Sequence, residues 1–73
     1  MTKTVYTKEY KEIIEKLKQA RFDASLKQED VAHKLKKPQS YVSKIERGER
    51  RLDVVEVKEF AKIYKKMIGY FLK

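Results

Sequence analysis

Four polar side chains crowd one short stretch: Gln39, Ser40, Ser43 and Lys44, within PQSYVSKIERG from Pro38 to Gly48. A helix places residues three and four positions apart on the same face, so these four project together. Such a face can exchange hydrogen bonds with base edges in the major groove of double-stranded DNA. Gln39 can bond adenine at both N6 and N7, which would discriminate against a wrong base by about 1–3 kcal/mol. Lys44 can reach guanine O6 and N7, or a phosphate. Ser43 is small enough to permit close approach and can bond a base or a phosphate. The bland alternative is that polar residues open any helix.

A reading face needs a brace. Val42 and Ile45 lie on the apolar side of the same segment, and Val31, Ala32 and Leu35 recur at helical spacing just upstream. The pattern predicts two short helices, from near Gln28 to near Leu35 and from about Gln39 to Arg47, joined by Lys36-Lys37-Pro38. Pro38 forbids continuation of the first helix, and its fixed φ suits the start of the second. Glu29 and Asp30 open the first helix and Lys34 ends it, as the helix dipole favours. Gly48 closes the second as a left-handed cap. One helix bracing another in the groove is the working arrangement of a helix-turn-helix.

Further elements must hold this pair. Thr7 can cap a helix over about residues 8–22, in which Tyr10, Ile13, Ile14, Leu17 and Ala20 form one apolar stripe. Asp53 and Glu56 form a capping-box pair ahead of a fourth helix, with Val54, Val57, Phe60, Ala61 and Tyr64 expected on its inner face. Met67 to Leu72, MIGYFL, is a final short apolar helix or turn. Residues 1–6 read as a flexible arm and 7–73 as one domain. The expected fold is all-α: five short helices around one small core.

Composition narrows the function. Nineteen Lys and Arg oppose eleven Asp and Glu, a formal net charge of +8, which favours polyanionic partners, nucleic acid first. There is no cysteine, and His33 cannot cage a metal alone, so no cofactor or metal site is expected. Glu9, Glu12 and Glu15 are spaced for a solvated helix face. No Ser-His-Asp grouping, phosphate-cradling Gly-rich loop or zinc spacing is present, so an enzyme is not expected. No apolar run reaches the roughly 18 residues of a membrane span, and Met1–Lys11 lacks the apolar core of a signal peptide. A cytoplasmic protein without a small-molecule ligand is the expectation.

From Arg21 to Leu72 the chain resembles the Cro/repressor-type, Xre-like helix-turn-helix family. The resemblance rests on L-x-Q-E-x-V-A-x-x-L, here Leu26–Leu35, then SYVSKIERGER, and on the tail EFAKIYKKMIGYFL. It implies a compact lambda-repressor-like domain and a transcriptional regulator, a repressor or autoregulator of bacterial or phage type. It implies base contacts at Gln39, Ser40, Ser43 and Lys44. Gln28, Lys37, Tyr41, Arg47, Arg50 and Arg51 correspond to phosphate contacts, with Gln28 also bracing Gln39. For Tyr41, packing alone is the competing role. Arg21 and Glu46 match a structural ion pair, and the last helices, through Met67, Ile68, Tyr70 and Phe71, match a homodimer contact that would read an inverted repeat. A protein-binding antitoxin or regulatory module is the alternative. The chain departs from the pattern with Lys36 in place of Gly, Lys27 and Pro38 in place of capping residues, and Met67 in place of Pro.

Overall fold

The computed structural model describes residues 7–72. Five helices follow one another: α1 Lys8–Asp23, α2 Gln28–Leu35, α3 Gln39–Arg47, α4 Val54–Tyr64 and α5 Ile68–Phe71. The fold is all-α, as expected, and α2 and α3 fall where the sequence puts them. The expected arm at residues 1–6 lies outside the described residues.

Each helix starts for a local reason. The Thr7 hydroxyl accepts the Tyr10 N–H at 3.4 Å and opens α1. Lys27 has no capping side chain, but the Asp30 carboxylate reaches back to the Lys27 N–H at 2.9 Å. That is the half of a capping box that the N3 residue supplies; the half that a Ser or Thr at position 27 would supply, a side-chain bond to the Asp30 N–H, is missing. Pro38 stands before α3 with φ −68°, in extended backbone. The full capping box opens α4: Asp53 Oδ1 accepts Glu56 N–H at 2.8 Å, and Glu56 Oε1 accepts Asp53 N–H at 3.0 Å.

Three helices end alike, with a left-handed residue after the last turn: Lys36 (φ 58°), Gly48 (φ 81°) and Lys65 (φ 58°). In each, the following N–H folds back onto a carbonyl five residues earlier, from Lys37 to Ala32, Glu49 to Lys44 and Lys66 to Ala61. Only Gly48 adopts this conformation without cost; lysine pays roughly 1 kcal/mol at such a position.

The core is a continuous cluster. Ile14, Leu17 and Ala20 of α1 meet Val31 and Ala32 of α2, Val42 and Ile45 of α3, Val57, Phe60, Ala61 and Tyr64 of α4, and Phe71 of α5. Two expectations are corrected. Val54 is 58% exposed, because as the first residue of α4 it projects beyond the core. Phe71, expected at a dimer contact, is 1% exposed: α5 packs on α1 and α4 and drives this ring into the core. A ring filling the core cannot also form an exposed dimer surface.

Candidate nucleic-acid interface

The amphipathic pattern of α3 decides what faces outward. Val42, Ile45 and Glu46 are buried, which rolls Gln39, Ser40 and Lys44 into solvent and leaves Ser43 half-buried. The four residues expected to read bases therefore share the outer side of one helix, with Lys37 and Arg47 exposed at its ends and half-buried Arg50 beside Ser40 and Lys44; Arg51 is exposed in the loop that follows α3.

The angle of α3 is held from behind by a buried ion pair. Arg21 Nε donates to Glu46 Oε2 at 2.7 Å, and Nη2 donates to Glu46 Oε1 at 3.0 Å. The remaining Arg21 nitrogen, Nη1, donates to the Leu26 carbonyl at 3.0 Å, so one side chain ties α1, the α1–α2 turn and α3 together. Its hydrogen bonds to Glu46 raise the Arg21 pKa further, against the opposing pull of burial. The ion pair expected from the sequence is present.

From Glu46 the network runs outward. Gln28 Nε2 donates to Glu46 Oε1 at 3.0 Å, and Gln28 Oε1 accepts from Gln39 Nε2 at 3.5 Å. Gln28 thus spends one hydrogen bond on the buried pair and orients Gln39 with the other, a weak bond at that length. The sequence suggested the brace; the link to Glu46 was not visible there.

A second network flanks α3 on its other side. The Tyr41 hydroxyl, expected to face a phosphate, donates to Glu56 Oε2 at 2.9 Å. The Tyr41 ring lies beneath two cations, with the Arg50 guanidinium 4.7 Å and the Lys37 ammonium 5.4 Å from its centre. Burial, then the bond to Glu56, push the Tyr41 pKa up to about 12. Burial works to raise the Glu56 pKa, but bonds from the Asp53 N–H, Tyr41 and Arg50 outweigh it and hold the carboxyl below its ordinary value. Arg47 pairs with Glu49 at 3.2 Å.

Two residues carry more than the sequence indicated. Glu56 reads as a helix cap, yet it also joins α4 to α3 and Arg50. Tyr10 reads as part of an apolar stripe, yet its hydroxyl accepts the Leu52 N–H at 2.6 Å and donates to the Arg50 carbonyl at 3.4 Å. The loop between α3 and α4 is thereby pinned to α1. Contacts of this kind, 40 and 42 residues apart, leave no local sequence signal.

A bracing helix, a short turn and an outward-facing polar helix define a helix-turn-helix. The model of a helix-turn-helix family matches residues 17–71, and the chain belongs to that family, the Cro/C1-type group. The chain is accordingly a DNA-binding regulator, in a family that is typically non-enzymatic. No curated protein matches the chain. Among the described residues, no cluster of His, Asp and Glu could hold a metal ion, and no helix is long and apolar enough to cross a membrane.

Proposed function

We propose that this chain is a sequence-specific repressor or autoregulator that inserts α3 into the major groove. The observation that carries this reading is the outer side of α3, where Gln39, Ser40, Ser43 and Lys44 stand together over a buried Arg21–Glu46 anchor. Gln39 reads a base while held by Gln28; Ser40, Ser43 and Lys44 contact bases farther along the helix. Lys37, Arg47, Arg50 and Arg51 grip phosphates on either side, and Gln28 meets a phosphate at the start of α2. Tyr41 contributes by gathering cations on its ring. Phosphate contacts supply most of the affinity, with a log–log salt slope of about −0.9 per contact.

The operator would be an inverted repeat read by a homodimer, its two α3 helices roughly 34 Å apart. Met67 is 83% exposed and Leu72 is 40% exposed, and Ile68 and Tyr70 are half-buried beside them, which supports self-association through this end of the molecule. Phe71 has no part in it.

Selection from a random duplex library at physiological salt tests the proposal. The expected result is one enriched inverted repeat. Salt-sensitive binding to every duplex without enrichment would overturn sequence-specific readout.

A further inference from the structure

Glu56 divides its carboxylate between two tasks. Oε1 accepts the Asp53 N–H at 3.0 Å and closes the start of α4. Oε2 accepts both the Tyr41 hydroxyl at 2.9 Å and Arg50 Nη1 at 3.1 Å. The same Nη1 donates to the Arg51 carbonyl at 3.1 Å, and the guanidinium lies 4.7 Å from the centre of the Tyr41 ring. One nitrogen of Arg50 is therefore tethered twice. Its other two donor groups, Nε and Nη2, have no partner among the described residues, and the side chain remains 41% exposed.

The tethered arginine sits beside the reading helix. Arg50 lines one concavity with Pro38, Ser40, Tyr41, Lys44 and Glu49. Its backbone is held as well, since the Arg50 carbonyl accepts from Tyr10. An arginine offers parallel N–H groups along its Nε–Nη2 edge, a match for two oxygens of one phosphate.

We infer that Glu56 is a positioning residue that holds Arg50 by Nη1 and presents the Nε–Nη2 edge to a DNA phosphate beside α3. The inference rests on the DNA reading proposed above. A long side chain gripping a phosphate loses rotamer freedom; the tether takes that loss on folding, before DNA arrives. Glu56 also carries a negative charge, which by itself repels the phosphate. The two effects have opposite signs, so the direction of the change on removing the charge shows which of them dominates.

The test is Glu56→Gln, measured as duplex affinity across a salt series, in the wild-type chain and in Arg50→Ala. Gln serves at this position of a capping box, so the start of α4 is retained. The expected result is binding roughly three- to tenfold weaker on specific and random duplexes alike, the scale of one ordinary hydrogen bond. The salt slope should flatten by about one unit, as in Arg50→Ala, with little further loss in the double variant. Tighter or unchanged binding would overturn the inference, and so would an equal loss in the Arg50→Ala background. Arg50→Lys gives a second reading that leaves the cap untouched. It should lose most of what Arg50→Ala loses, and wild-type affinity in Arg50→Lys would show that a point charge is sufficient. If the wild-type chain shows no salt-dependent duplex binding, the DNA reading itself falls; if wild type binds and only the Glu56 result fails, the positioning role alone falls.

Discussion

Arg21 and Glu46, 25 residues apart in the chain, meet through two parallel bonds of 2.7 and 3.0 Å, with side chains only 10% and 6% exposed. The pair fastens α3 to α1, and Glu46 Oε1 also accepts from Gln28. Breaking such a pair from one side strands a buried charge, at a cost of about 3–5 kcal/mol. A domain of this size is held by roughly 4–11 kcal/mol in total. Arg21→Ala should therefore remove a large share of the total stability and lower the melting temperature markedly. Thermal unfolding followed by circular dichroism checks this; a melting curve like that of the wild type would remove the pair from the stabilising framework.

The left-handed lysines offer the opposite change. Lys36→Gly relieves strain at φ 58° and should raise stability by up to about 1 kcal/mol, with Lys65→Gly behaving similarly. Lys36→Gly also removes a charge next to the turn, so nonspecific DNA affinity should fall slightly while stability rises. Denaturant midpoints and a duplex titration read the two effects separately.

Gln39→Ala should relax base preference at one operator position, costing about 1–3 kcal/mol on the specific site and little on random DNA. Equal losses on both would assign Gln39 to the backbone. The 3.5 Å bond from Gln39 to Gln28 leads to a milder expectation for Gln28→Ala: weaker specific binding, with the same base preferred.

The Tyr41–Glu56 bond predicts stability limits at both ends of the pH scale. The Glu56 pKa is depressed on folding, so its contribution is full above the ordinary carboxyl value and fades as pH falls through the lower folded value. Tyr41 is shifted the other way, from 10.0 up to about 12, so its contribution is full below pH 10 and fades as pH rises toward 12. Burial raises the Tyr64 pKa as well. Tyrosinate absorbance should show Tyr41 and Tyr64 ionising late, and Tyr41→Phe should remove one late step.

Met67→Asp should leave the melting temperature nearly unchanged, since the side chain is 83% exposed and outside the core. It should shift sedimentation toward monomer and weaken operator binding if the α5 end is the dimer contact. Retention of the dimer in Met67→Asp would move the contact elsewhere.

How much of this could be read in the chain depends on the range of the interaction. The sequence determined the all-α class, the bounds of α2 and α3, the Asp53–Glu56 cap and the outward set Gln39, Ser40, Ser43 and Lys44. These follow from periodicity, proline and capping chemistry, which act over a few residues. The resemblance also pointed to the Arg21–Glu46 pair. Only the tertiary structure decided that Phe71 fills the core, that Val54 escapes it, that Tyr10 holds the Arg50 loop and that Glu56 tethers Arg50. An apolar residue in a short terminal helix has no periodicity long enough to show which way it faces. Glu56 has two oxygens, and the sequence reveals only the use of the one that acts locally. The second is assigned by how α3 and α4 come to rest against each other, a matter of packing across the whole core.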